Sequence, residues 1–256
     1  MRSRRRAFTL VELLVVICII LILIGLLLPA VTAAYRSAME YECQNNLHQL
    51  AVVVATYCQD NDGYFPRAPG LTPSANDWLY LNDSPTADNV YNGILVRQKR
   101  VGSKMTLVSG VPKNVGETDL YYCPLDDLTR PIAGYMGSGL TPKRRLSSYV
   151  INGSITYGNP TPANQRRFRR FSDFDPNDFL FIEESEGSPF DKAFMNPSGS
   201  YTITNRHHGG GYVAYMDGSV QWWSQEDFRT EADKVIAANA DWWKVGSNTP
   251  NHWNPG

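Results

Sequence analysis

The sequence predicts an α+β protein in which one long N-terminal helix packs on a small antiparallel sheet with long loops. Three observations carry this reading. Residues 13–28 hold no polar side chain beyond Cys18. A helical apolar stripe then runs on over residues 35–60 without Pro or Gly. Beyond it, short aromatic and β-branched runs are punctuated by turn residues, the chain holding 20 Gly and 16 Pro.

The first seven residues carry Arg2, Arg4, Arg5 and Arg6, ahead of Ala7 and Phe8. A basic N-terminus before an apolar run predicts a cytoplasmic N-terminus. The run at 13–28 is slightly short of the ~20 residues that span a bilayer. Residues 8–11 and 30–31 extend it far enough, so 8–34 is read as the transmembrane segment. Gly25 and Pro29 are tolerable in a membrane helix, and Pro29 is the expected kink. Glu12 stands out, because a carboxylate at mid-membrane costs about 2.5–3.5 kcal/mol and less near the interface. No partner for it is encoded in the apolar stretch, so it either reaches the headgroups or meets another chain. Two other readings compete here. A secretory signal peptide would be cut near Ala33 or Ala34, and a plain anchor would stay uncleaved. The first conflicts with a helical pattern that does not stop at Ala34.

In residues 35–60, Cys43, Leu47, Leu50, Val54 and Tyr57 recur on one helical stripe, widened by Ala51 and Cys58. Asn61-Asp62-Gly63 ends the helix with residues that accept left-handed backbone. One helix from about Phe8 to Asp60 is therefore expected, ~80 Å long at 1.5 Å per residue.

Residues 61–256 form the expected extracytoplasmic domain. Residues 66–92 and 129–145 read as loop. Weak strands are expected at 90–95 and 105–108, a short strand at Tyr121-Tyr122-Cys123-Pro124, and firmer strands at 147–151 and 179–183. Residues 225–239 read as an amphipathic helix, with Ser224 and Asp227 resembling a capping box. Asp217-Gly218 between two alternating runs is a two-residue hairpin signal of type I′. That turn would pair Tyr215 with Val220 and Val213 with Trp222, setting all four on one core face.

Composition narrows the function. Lys plus Arg is 24 and Asp plus Glu is 25, so there is no whole-chain field for nucleic acid, and none is expected as a partner. Four cysteines are too few for a disulfide-built scaffold. A hydrophobic share of 43% supplies a core.

Ala7-Phe8-Thr9-Leu10-Val11-Glu12-Leu13-Leu14 resembles the processing motif of type IV prepilins and type II secretion pseudopilins. The resemblance implies a pilin-like fold, a leader of residues 1–7, cleavage by prepilin peptidase between Ala7 and Phe8, and N-methylation of Phe8. It also implies that Glu12 meets the N-terminal amine of a neighbouring subunit, and that Pro29 stands where a helix proline recurs. Ala7 departs from the usual Gly. Further along, Cys43-Gln44-Asn45-Asn46-Leu47, the Asp62-Gly63-x-x-Pro66 exit, Cys123-Pro124-x-Asp126, Ser148-Tyr149 and Asn152-Gly153 resemble, in order, elements of a bacterial prepilin-like family. His207, nine residues before Asp217-Gly218, resembles that family's closing H-X9-DG element.

Other constellations are weaker. His207 and Asp217 could pair as metal ligands or acid and base only if Gly209-Gly210-Gly211 turned the chain back; a structural turn with a loop-bonding His is preferred. Asp60-Asn61-Asp62-Gly63 echoes a calcium loop but lacks its full pattern and distal Glu. No metal or other cofactor is expected, calcium being the one alternative kept in view. Cys43 and Cys58 lie ~22 Å apart by helical rise and cannot pair with each other. In an exported domain Cys123 could bridge to either, or the thiols could stay free and buried; Cys43–Cys123 is favoured. The basic clusters 143–145 and 166–170 and the tryptophan pairs 222–223 and 242–243 read as solvated loop and as core or rim. Glu183-Glu184 as paired catalytic carboxylates has no supporting residue.

The expected function is a non-enzymatic pilin-like (pseudopilin) subunit of a pilus or type II secretion-like machinery. Its expected partners are prepilin peptidase, other pilin or pseudopilin subunits and inner-membrane lipid. It would cross the inner membrane once, with its C-terminal domain in the periplasm or in a filament. The alternative is a membrane-anchored periplasmic binding or envelope protein that uses the prepilin export route and never polymerises. A third reading, a secreted soluble enzyme, needs cleavage near Ala33.

Overall fold

A computed structural model describes residues 9–66, 78, 94–97, 105–108, 111–114, 120–126, 147–152, 155, 170–185, 194–195 and 202–230. The elements are helix α1 (Leu10–Asp60), helix α2 (Ile94–Arg97), strands β1 (Met105–Val108) and β2 (Val111–Asn114), β3 (Tyr149–Asn152), β4 (Phe179–Glu183), β5 (Phe194–Met195), β6 (Gly210–Tyr215) and β7 (Val220–Ser224). The loop at 129–145, the basic cluster 143–145, Arg166 to Arg169, Asn152's neighbour Gly153, Trp242, Trp243 and His252 lie outside the described residues.

α1 is continuous through Pro29 for 51 residues. Its two halves face different solvents. Every Leu, Ile and Val from Leu10 to Val31 is exposed. Burying one such side chain is worth about 1.5–3 kcal/mol, so this surface in water would be costly and lipid is its natural medium. Thr32 Oγ1 donates to the carbonyls of Leu28 and Pro29, at 3.2 and 2.9 Å, just past the proline. In the second half, Cys43, Leu47, Leu50, Ala51, Val54, Tyr57 and Cys58 are buried, and so is Asn46. The helix stops at Asn61-Asp62-Gly63. Gly63 N–H donates to Cys58 O at 2.8 Å, and Asp62 and Gly63 take φ values of 54° and 82°. The segment that echoed a calcium loop therefore acts as the helix terminus.

The main sheet has five strands in the order β5-β3-β4-β6-β7. Four of them pair antiparallel, and β5 adds to β3 in parallel, a departure from an all-antiparallel sheet. β1 and β2 form a separate hairpin. α1 covers one face of the main sheet, with Leu47, Leu50 and Val54 in a cluster with Tyr149, Phe181, Tyr212 and Ala214. The other face carries Val150, Phe179, Ile182, Ile203, Val213, Tyr215 and Phe228. A bulge between Phe179 and Phe181 lets Leu180 and Phe181 both join the helix side. Residues 225–230 are helical, and the Ser224 hydroxyl accepts the Asp227 N–H at 3.0 Å as an N-cap.

Several expectations need correction. Residues 120–126 form turns and extended links, not a strand; their backbone is held by side chains and by the Ser148 N–H just before β3. Ile94 and Leu95 open a short helix in place of a strand. The hairpin of β6 and β7 does not close with a two-residue type I′ turn. Tyr215 N–H donates to Ser219 O and Gly218 N–H to Tyr215 O, at 2.9 and 3.0 Å. Only Gly218 takes a positive φ there, 84°, which is the three-residue loop with a glycine bulge. The extra residue shifts the register, so Ala214 pairs with Val220 and Tyr212 with Trp222. Val220 and Trp222 therefore lie on the helix side, opposite Val213 and Tyr215, and Trp223 packs beside Val213 and Tyr215 instead. The four residues do not share one face because the longer loop moves β7 by one residue against β6, and β6 itself is buried on both faces.

Cys58 gives a simple check on this packing. Burial pushes its thiol up to about 12. Only the thiolate is alkylated. Iodoacetamide at pH 8 should therefore leave Cys58 unmodified in the native chain and modify it after denaturation, as read by peptide mass mapping. The folded state favours the neutral thiol. This contribution to stability is complete below the unfolded thiol's range of about 8.5 and is lost as pH rises towards 12.

Candidate functional site

Two regions hold the residues that the sequence singled out. The first is the start of α1. Thr9 is its N-cap, and the Glu12 N–H donates to Thr9 Oγ1 at 3.2 Å. In return Thr9 N–H and Thr9 Oγ1 each donate to Glu12 Oε2 at 2.8 Å. This is a Thr-x-x-Glu capping box. It corrects the reading that no partner for Glu12 is encoded nearby: Thr9 is that partner, three residues back. Ala7 and Phe8 lie outside the described residues.

The second region is a buried hub, where parts far apart in sequence meet. Cys43 of α1 and Cys123 form a disulfide across 80 residues, with Cα atoms 4.9 Å apart. One turn along α1, Asn46 Nδ2 donates to Tyr122 O at 3.1 Å. Ser147 and Ser148, just before β3, grip the same segment. Ser148 N–H and Ser147 Oγ both donate to Tyr121 O, at 2.8 and 2.9 Å. Ser148 Oγ donates to Asp126 Oδ2 at 2.6 Å, and Arg206 Nη1 meets Asp126 Oδ1 at 2.9 Å. Tyr149 Oη donates to Cys43 O at 3.4 Å. Burial, reinforced by the nearby Glu183 charge, holds the Tyr149 phenol well above its usual range.

His207 sits at the centre of this hub and is fully buried. Its Nε2 lies 3.0 Å from Glu183 at the end of β4 and 3.4 Å from Cys123 Sγ. Glu183 Oε2 also accepts the Tyr212 N–H at 2.9 Å. The chain turns sharply next to it. His207 and Gly210 exchange both backbone hydrogen bonds, at 3.0 and 3.1 Å, and His208 and Gly209 take φ values of 54° and 84°. Positive φ at both central residues is the type I′ pattern. The turn expected at Asp217-Gly218 thus occurs at His208-Gly209.

The His207 side chain therefore bonds Glu183 at the end of β4 as well as Cys123 in the 120–126 link, and Asp217 is not its partner. Asp217 is exposed at the hairpin tip, where Oδ1 accepts Ser219 N–H at 2.8 Å. Gly218 contributes through its carbonyl, which is 2.7 Å from His48 Nδ1 on α1. His208 Nε2 meets Glu40 Oε1 at 3.0 Å, a second tie to α1. The ends of the His207-to-Gly218 element thus both dock on the long helix. Sequence reasoning weighed Glu183 only as half of a catalytic carboxylate pair, and it missed Arg206. The signal for Glu183 was a carboxylate closing an otherwise apolar strand; the signal for Arg206 was a cation preceding His207 at a glycine turn.

Residues 2–28 match a family model, the prokaryotic N-terminal methylation motif. The chain is type IV prepilin-like in this motif, and its long helix on a small sheet is a pilin-like α+β layout. No curated protein and no solved structure shows a significant match to it. Among the described residues one helix is long and apolar enough to cross a membrane, and with the motif it marks a membrane-anchored protein.

Proposed function

We propose that the chain is a pilin-like subunit, cut by prepilin peptidase between Ala7 and Phe8 and methylated on Phe8. It crosses the inner membrane once with a cytoplasmic N-terminus, and its task is assembly with other pilin or pseudopilin subunits and not catalytic turnover. The observation that carries this is the methylation motif in register with an exposed apolar helix that runs unbroken into a folded domain. The order of motifs from Cys43 to Gly218 supports placement near the prepilin-like proteins that close with H-X9-DG. Mass spectrometry of the mature protein should find a methylated Phe8 as its first residue. A mature chain starting at Ala34 or Tyr35 would sink the reading and favour a secretory signal.

A second reading is a membrane-anchored envelope protein that never polymerises. The Thr9–Glu12 capping box favours it, because Glu12 has a partner within its own chain. Glu12→Ala separates the two. A subunit that assembles through Glu12 should still be inserted and processed but should fail to enter filaments. If the wild-type chain is found only as dispersed monomers in the membrane and never in filaments, the second reading holds.

A further inference from the structure

Four potential metal donors converge in the hub: Cys43 Sγ, Cys123 Sγ, His207 Nε2 and a Glu183 oxygen, all within 4.8 Å of one another and all from buried residues. We propose that in the reduced chain these four side chains form a closed site for a soft divalent cation, zinc first, so that one cluster locks the domain either by a disulfide or by a metal.

The chemistry of the donor set supports zinc. Two sulfurs, one imidazole and one carboxylate match the ligands that zinc takes, and four protein ligands make a structural site with no open position. Ligands about 2.0–2.3 Å from a tetrahedral zinc lie roughly 3.3–3.8 Å apart. His207 Nε2 is already 3.0 Å from Glu183 and 3.4 Å from Cys123 Sγ, so the imidazole and carboxylate need little movement. The ligands are also held from behind. Tyr212 N–H fixes Glu183 Oε2 at 2.9 Å, and Asn46 fixes the backbone beside Cys123 at 3.1 Å. Such supports orient metal ligands. The four residues come from α1, the 120–126 segment, β4 and the turn before β6. A metal would therefore join the same parts that the disulfide joins.

The steps balance with a phosphine as reductant. A trialkylphosphine and one water convert the disulfide to two thiols and a phosphine oxide. One Zn²⁺ then replaces two protons to give two zinc–thiolate bonds, with His207 and Glu183 completing the shell. Neither step needs a further redox partner.

The test uses the full chain in detergent, oxidised or reduced with phosphine, titrated with Co²⁺ as the spectroscopic probe and then with Zn²⁺. Reduced protein should bind one Co²⁺ with thiolate charge-transfer absorption and the strong visible bands of a tetrahedral site, and Zn²⁺ should displace it. Oxidised protein should bind none. The Cys18→Ser and Cys58→Ser variants should keep the spectrum, whereas His207→Ala should weaken Co²⁺ binding at least ten-fold. Zn²⁺ should raise the melting temperature of the reduced wild-type chain only. The proposal is overturned if reduced wild-type protein gives no thiolate–cobalt absorption. It is equally overturned if Cys58→Ser abolishes that absorption. The wild-type measurements decide the matter even if His207→Ala does not fold.

Discussion

Replacing either Cys43 or Cys123 with serine should cost the oxidised domain roughly 4.5 kcal/mol by the chain-entropy estimate, within the 2–5 kcal/mol seen for native bridges. The reason lies mainly in the unfolded chain. The bridge spans 80 residues, and without it the unfolded ensemble regains the freedom of that loop. In the folded state the bridge also fastens α1 to the 120–126 segment, which is not part of the sheet and is held by polar bonds and by the burial of Leu120, Tyr121 and Tyr122. A domain of this size shifts its midpoint by about 2–4 °C per kcal/mol, so melting should fall by roughly 10 °C or more. The double variant should lose no more than either single one, because all three remove the same cross-link. Thermal melting of the full chain in detergent, with chelator present throughout, measures this. A single variant that melts within about 2 °C of the wild type would show that the bridge adds little.

The stripe that carries Cys43 illustrates what was legible in the sequence. Burial on a helix depends on a short-range period, so Cys43, Leu47, Leu50, Val54 and Tyr57 could be read off directly, and all are buried. Strands β3 and β4 were legible for the same reason, their runs being short and apolar. The hairpin register was not. A glycine with positive φ fits both a two-residue type I′ loop and a three-residue loop with a bulge, and the sequence Asp217-Gly218 suits either. What decided it was docking of the tip, where Met216 N–H donates to Asp178 O and Asp217 N–H to Pro176 O at 2.8 and 3.0 Å. Those contacts are made by backbone about 40 residues earlier and leave no local trace.

The hub was half legible. Its cysteines and His207 stood out as motif residues, while Glu183 did not, because the ion pair that explains it is made across 24 residues. The capping box at Thr9 was fully legible as Thr-x-x-Glu. The adjoining apolar run masks it, although Thr9 and Glu12 stand at the helix start, where backbone N–H groups need partners. Local signals were lost where a stronger pattern overlapped them. Long-range polar pairs were lost because sequence spacing does not encode them.

The second large effect is expected at Gly210, where Trp222 and Trp223 of β7 leave no room for a methyl group on β6. A Cβ at this position would lie 2.0 Å from the Trp223 carbonyl oxygen and 2.7 Å from Trp222 Cζ2. The first of these is backbone and cannot rotate aside. Gly210 also pairs with Ser224 in the ladder and exchanges two hydrogen bonds with His207. Moving it would pull on the turn that sets His207, and on the Trp222 Nε1–H bond to His207 O at 2.7 Å. Gly210→Ala should therefore cost about 3 kcal/mol or more, at or beyond the upper end of ordinary overpacking. Gly209 is the control. It takes a φ of 84° but has open space around its Cβ position. Gly209→Ala should cost only about 1 kcal/mol of backbone strain, and Gly209→Asn less, since Asn accepts left-handed backbone. Denaturant melting gives the order, and near-ultraviolet circular dichroism reports whether Trp222 and Trp223 keep their packing. If Gly210→Ala is no worse than Gly209→Ala, the close approach of β7 to β6 at this point is wrong.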